Sequence, residues 1–335
     1  MRTFAAKYNI MDVLLITNNE HGNGNPKFVQ AFRNQGDQVT IINHQEASYY
    51  LAQENEQDHF YHLGQRLSIR SFELIVTRMG ADVEHGCELL QLIRDKYPWI
   101  SFTQEPAAIL TARSKLQTSR ALRLKKVPIA RTYYDAQPSK RIDIIESKFE
   151  YPVIVKTAYG GSQGTDVHIC PDREVLKARL EGYERTNEKV IVSQFIKTGQ
   201  RKAADIRALV YTNSEGYYVA AAMERISEDG NWKTNLSQGA KGVEITLTKE
   251  EIEICINAAE ATGLKFAAID IIRDEGGNAK VLEVNTNWGV KIADIVKIDI
   301  YKEFARAAKQ HAGKLNNLHS WDVKYYQYTG RMPRR

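Results

Sequence analysis

The chain has 335 residues, 43% hydrophobic and 26% charged, the balance of a folded globular protein rather than a disordered one, and long enough for two or three packed subdomains. Its formal net charge is +5, from 46 basic against 41 acidic residues, with much of the excess near the end in Lys309, Lys314, Arg331, Arg334 and Arg335. No run of about 18 apolar residues and no basic stripe with interleaved aromatics is visible, which argues against a membrane span and against nucleic-acid binding.

In chain order, residues 1–10 read as a lead into a strand or as a disordered extension. They lack the apolar core and cleavage site of a secretory signal. DVLLIT (12–17) is an apolar strand, KFVQAFRNQG a helix closed by Gly36, and QVTII a second strand, together a unit of the α/β kind. Gly22 and Gly24 follow the first strand, but the full G-x-G-x-x-G is absent and Pro26 interrupts, so a substrate-contacting loop is expected rather than a dinucleotide fingerprint. FELIVTR (72–78), the helical GCELLQLIRDKY and ISFTQ complete a small parallel-sheet domain over residues 1–110.

A helix is predicted over 106–126, opened by Pro106 and ended at Val127-Pro128. YPVIVK (151–156) is a strand running into the glycine-rich AYGGSQGTDV, with VHIC (167–170) returning, a helix over DREVLKARLEGY, and a strand over 189–196. DIRALVY and GYYVAAAMERI form two strands joined at NSEG, and SEDGNWKTNLSQGAKGVEI is expected to be a loop over a cleft. A helix over 248–262 stops at Gly263. Two further strands flank the Glu-Gly-Gly-Asn turn at 275–278, and a helix over 300–311 precedes a tail from about 316. The cysteines Cys87, Cys170 and Cys255 are isolated, so neither a disulfide framework nor a thiolate metal site follows, and a reducing, cytoplasmic setting fits best.

The residues with most chemistry lie on the later strands. Asp270 interrupts the apolar AAIDII, and Glu283 and Asn285, two apart in KVLEVN, point the same way on a strand. Two carboxylates and an amide oxygen are a donor set suited to magnesium. The same acids also fit strand ends facing solvent and pairing with Lys280 or Lys265. Lys156 ends a strand directly before Gly160, Gly161 and Gly164, where a lysine can neutralise phosphate while backbone amides cradle it, although an ordinary flexible turn reads equally well. Arg207 and Arg225 can clamp a phosphoryl group or a carboxylate, or simply form exposed salt bridges with Asp205 and Glu224.

Taken together, a lysine helix, a V-I-V-K strand, a glycine loop, a D-I-R strand, an A-x-D strand and an L-E-V-N strand occur in an order that resembles the ATP-grasp superfamily. The similarity is closest to the branch of ribosomal-protein glutamate ligase and amino-group-carrier-protein ligases, and it runs from about residue 72 to 310. The resemblance implies an ATP-grasp fold of the α/β class. It has an N-terminal domain (1–110), a middle subdomain (111–190) and a C-terminal subdomain (191–315) enclosing the nucleotide, followed by the tail (316–335). It implies that Lys115, Lys156, the loop Gly160, Gly161, Ser162, Gln163, Gly164, the hinge Gln194, Phe195, Ile196, and Asp205 and Asn235 serve ATP. Asp270, Glu283 and Asn285 then hold Mg2+ (or Mn2+), and Arg207 and Arg225 act near the transferring phosphoryl group. The implied activity is carboxylate–amine ligation through an acyl phosphate, on amino-acid or peptide substrates or a protein terminus. Homo-oligomeric assembly is expected, and a nucleotide-binding interaction protein without turnover is the alternative.

Three positions depart from that branch. Gln194 stands where glutamate is usual, the glycine loop is about one residue longer, and the usual N-x-x-P-G becomes Asn285-Thr286-Asn287-Trp288-Gly289. Trp288 and Lys291 are therefore candidate substrate contacts, Trp288 by stacking on or covering a substrate, with a packing role as the alternative.

Overall fold

The computed structural model describes residues 10–22, 24–53, 56–160, 166–199, 203–227, 234, 236 and 239–313. The chain divides into two compact units, one of Met1–Ala107, Tyr211–Tyr218 and Ile298–Arg335, the other of Ala108–Val210 and Val219–Lys297.

The first unit is built on a parallel sheet in the order Gln38–Asn43, Asp12–Thr17, Leu74–Arg78, Ser101–Phe102. Residues 13–17 and 74–78 are buried throughout, as expected of continuous apolar runs in a sheet covered on both faces. The helices Asn25–Arg33 and Val83–Lys96 follow the first and third of these strands in sequence, and Pro26 falls in the first turn, where its missing N–H costs nothing. The sequence reading passed over a second sheet, the antiparallel Ala47–Tyr50, His59–His62 and Gln65–Leu67. Its strands are short and mix aromatic with polar residues, so their period is weak.

The helix over 300–313 also belongs to this unit. It carries Lys309, whose Nζ donates to Asp37 Oδ1 at 2.7 Å with both side chains almost fully buried; the same oxygen accepts from the Met11 backbone N–H. Removing one partner strands the other charge in the core, so Lys309→Ala should cost about 3–5 kcal/mol of stability and Lys309→Met less, read from urea midpoints.

The second unit contains two antiparallel sheets. One runs Val167–Cys170, Val153–Thr157, Val190–Gln194, Thr132–Tyr134, with its apolar face packed on the helix Arg173–Arg185 through Leu176 and Leu180. The other runs Lys241–Glu244, Tyr217–Ile226, Ala204–Thr212, Phe266–Arg273, Ala279–Asn285, the tip of its central hairpin counting with the first unit. Residues 241–244, expected to be loop, pair with the end of Tyr217–Ile226 as an edge strand. The helix Lys249–Thr262 begins with a capping box between Thr248 and Glu251 and ends at Gly263, whose φ of 75° is the left-handed conformation a side chain resists. The helix predicted over 106–126 is two, Pro106–Arg113 and Lys115–Leu124, parted by an extended Ser114. Ser114 Oγ accepts from Gln117 N–H, capping the second helix, while Ser114 also bridges Tyr159. No described helix is long and apolar enough to cross a membrane.

Candidate active site

Every predicted site residue belongs to the second unit. The base of the site is a strand pair in which Asp270 lies directly opposite Glu283 and Ala268 opposite Asn285. Asp270, Glu283 and Asn285 therefore share one face of the sheet.

Asp270 is only 4% exposed, and it does not pair with Lys280 or Lys265 at a solvent-facing strand end. Lys280 pairs with Asp274 instead. Arg207 grips Asp270 through two bonds, Nε to Oδ1 and Nη2 to Oδ2, both 2.7 Å. Arg225 Nη2 lies 3.2 Å from the same Oδ2 and, with Nε, holds Asp205 in a second fork. The salt-bridge alternative holds for Asp205, which pairs with Arg225, but that pair is buried rather than exposed, Arg207 takes Asp270, and Glu224 approaches Arg273. The result is a chain of alternating acids and guanidinium groups, Asp205–Arg225–Asp270–Arg207, in which burial pushes the Asp205 carboxyl up despite Arg225. Burial alone would raise the Asp270 carboxyl, but Arg207 and Arg225 outweigh it and hold it below the ordinary carboxylate range.

Glu283 faces different partners. It shares a narrow cleft with Lys115, Ser119, Lys156 and Ser193. Burial lowers the Lys156 ammonium from its usual range and Lys115 adds repulsion, while Glu283 alone pulls back. Lys115 is also lowered, mainly by burial and in part by Arg113, against Glu283 and Asp166. Two desolvated cations sharing so little negative charge make a pocket complementary to a polyanion.

Lys115 Nζ donates to the Gly160 carbonyl, and the stretch 113–115 is laid along 158–160 by Gly160 N–H to Arg113 O at 3.1 Å and Lys115 N–H to Ala158 O at 2.9 Å. Gly160 has φ of 58°, the left-handed conformation that favours glycine, and a Cβ there would sit 3.3 Å from the Arg113 guanidinium. Gly161, Ser162, Gln163, Gly164 and Asn235 lie outside the described residues, as does the tail from 316.

Gln194 closes its strand, donating its N–H to Arg131 O at 2.9 Å and accepting from Arg131 Nε at 3.4 Å, and Phe195 and Ile196 follow it directly. Trp288 is 3% exposed, so in this structure the ring packs inside. Lys291 is exposed, its Nζ donating to Leu236 O at 3.1 Å. Sequence reasoning did not pick out Ser119, Thr132 or Ser193, which line the cleft, because isolated hydroxyls carry no pattern.

A magnesium ion fits the strand pair. Asn285 turns Nδ2 toward Asp270 Oδ2 at 3.4 Å, which leaves Oδ1 as the amide atom for a cation. Asp270 Oδ2 already meets Arg207, Arg225 and Asn285, but Oδ1 takes one bond from Arg207 Nε and keeps a lone pair for a cation. The donors are all hard oxygens. The one other convergence of metal-type donors among the described residues is Glu20, Glu46 and His62, where His62 Nε2 already accepts from Asn43 N–H at 3.3 Å.

Comparison with known proteins gives the family and the fold. Residues 112–308 match the RimK-like ATP-grasp domain. A probable alpha-L-glutamate ligase of Pseudoalteromonas translucida is 27% identical over 288 residues, covering 85% of this chain and 90% of its own. Among solved structures, the ATP-grasp ligase PsnB, complexed with a phosphomimetic variant of minimal precursor, Mg and ADP, superposes with a TM-score of 0.66 at 15% identity, covering 91% of this chain and 100% of its own. The macrocyclase MdnC of Microcystis aeruginosa MRC, bound with precursor peptide MdnA, gives 0.63 at 17% identity, covering 88% and 98%. At those identities the structures speak for the fold, which is ATP-grasp.

Proposed function

The chain belongs to the RimK-like ATP-grasp family and is an ATP-dependent carboxylate–amine ligase, and from that premise we propose that it transfers an amino acid, L-glutamate first among candidates, onto the amine of a peptide or protein terminus. The observation that carries the site assignment is the position of Glu283, beside the two depressed lysines on one side and opposite Asp270 on the other. That position supports reading the two lysines as phosphate-binding cations and the neighbouring oxygens as metal donors.

On this reading Lys115 and Lys156 bind the triphosphate, and burial makes each contact stronger than it would be in water. Gln194, Phe195 and Ile196 line the adenine, and Gly160 lies on the phosphate side. Asp270, Glu283 and Asn285 would hold Mg2+, with Mn2+ able to substitute, and the ion would supply charge neutralisation to the transferring phosphoryl group. A substrate carboxylate oxygen attacks the γ-phosphorus and ADP leaves. Arg207 and Arg225, fixed by Asp270 and Asp205, need no reorganisation to meet the charge that develops. The amine nitrogen then bonds to the acyl carbon, inorganic phosphate departs and the nitrogen loses a proton. Three free, buried cysteines support a reducing, cytoplasmic setting.

The test offers L-glutamate with a panel of short peptides, following Mg2+-dependent ADP release and product mass. One ADP per peptide heavier by a glutamyl residue is the expected result. Products carrying a different amino acid, with none from glutamate, would reject the donor assignment.

A further inference from the structure

The stretch that brings Lys115 into the cleft brings a second cation with it. Ala112 and Lys115 line the cleft, and the half-buried Arg113 lies between them in sequence, at the end of the helix Pro106–Arg113. Its side chain rests on Gly160. A Cβ at Gly160 would lie 3.3 Å from Nη1 and 3.5 Å from Cζ and Nη2, so the guanidinium packs where a larger residue would put its side chain. Gly160 is held in two further ways, its N–H donating to Arg113 O at 3.1 Å and its carbonyl accepting from Lys115 Nζ.

Two cations thus meet at one glycine. Arg113 is among the causes that lower the Lys115 ammonium, against which only Glu283 and Asp166 pull. A lysine can relieve such crowding by losing its proton, but a guanidinium cannot, so the positive charge at Gly160 is permanent. The register of the neighbouring strands gives its direction. Gln194 stands opposite Val153 at one end of that pair, and Val190 stands opposite Thr157 at the other, from which the chain runs on to Gly160. A nucleotide with its base at Gln194 therefore extends its distal phosphates, rather than its base, toward Arg113.

We propose that Arg113 binds the distal phosphates of ATP beside Lys115, making nucleotide affinity depend on the length of the phosphate chain. The inference rests on the nucleotide placement above. The guanidinium offers a fork of donors to two phosphate oxygens, where Lys115 supplies a point charge. The missing side chain of Gly160 is what lets the fork settle there.

The experiment titrates the full chain with Mg-ATP and with AMP in a calorimeter, without amino acid or amine. Arg113→Ala removes the guanidinium, Arg113→Lys keeps a charge without the fork, and Lys115→Met is the reference for a phosphate-binding cation. The expected result is a Kd for Mg-ATP raised at least about tenfold in Arg113→Ala and about threefold in Arg113→Lys, with the Kd for AMP within about twofold of the parent in both. Gly160→Ala should weaken Mg-ATP more in the parent than in Arg113→Ala, because the added methyl displaces a guanidinium only where one is present. An equal cost of Gly160→Ala in both backgrounds would overturn the proposal. So would equal weakening of Mg-ATP and AMP in Arg113→Ala, which would make Arg113 a structural support of Gly160. An unchanged Kd for Mg-ATP in Arg113→Ala overturns it as well. If Lys115→Met loses affinity in that case, the phosphate site stands without Arg113, and if it does not, the phosphate site falls too.

Discussion

Replacing Asp270 by asparagine is expected to lower kcat by about 10³-fold or more while leaving the chain folded. The size follows from the number of connections the carboxylate makes. It is the shared anchor of Arg207 and Arg225 and stands opposite Glu283 in the proposed metal set. Asparagine keeps the shape but presents an NH2 toward one of the two guanidinium groups, so one arginine loses its aim and the metal loses a charged ligand. Asp270→Ala should also destabilise the chain, by about 3–5 kcal/mol, because both arginines then share Asp205 alone in a buried setting. Steady-state rates with circular dichroism and urea denaturation separate the effects. A near-normal kcat in a folded Asp270→Asn chain would remove Asp270 from the site.

Much of this was legible before any coordinates. Continuous apolar runs at 12–17 and 74–78 gave buried parallel strands, and Gly263 marked the end of one helix. Asp270, Glu283 and Asn285 were legible because strand alternation is local. An acid inside an apolar strand is conspicuous, and a spacing of two puts side chains on one face.

What stayed hidden depends on register. Whether Arg207 takes Asp205, its near neighbour in sequence, or Asp270, 63 residues away, is fixed by how separate strands line up. Nothing within DIRALV encodes that. The break at Ser114 was concealed for a related reason. Serine is tolerated inside a helical pattern, and the extended backbone there is held by Tyr159, remote in sequence. Trp288 shows the limit of reading a substitution by type, since the ring is inside the fold.

Lys156→Met is expected to weaken ATP binding by about 10- to 100-fold and, in the ligand-free chain, to increase resistance to urea. The two effects have one origin. Burial lowers the Lys156 ammonium below its ordinary value of 10.5, so its charge is disfavoured in the folded state, with Glu283 offsetting part of the penalty. Methionine fills similar space without the charge, and the penalty disappears along with the phosphate contact. The sign with pH follows. Between the lowered folded value and 10.5 the unfolded chain keeps a proton that the folded chain releases, so the ligand-free parent should gain stability as pH rises through that window. Lys156→Met should show a shallower rise, the remainder coming from Lys115, whose ammonium is lowered in the same way. Saturating Mg-ATP should flatten the rise in the parent, because the triphosphate supplies the negative charge the cleft lacks, and should stabilise the parent far more than the variant. Urea midpoints between pH 7 and 9.5, with and without nucleotide, measure all of this. A Lys156→Met chain that is less stable than the parent and binds ATP equally well would mean that Lys156 is an ordinary structural cation, and that the polyanion is met by Lys115 alone.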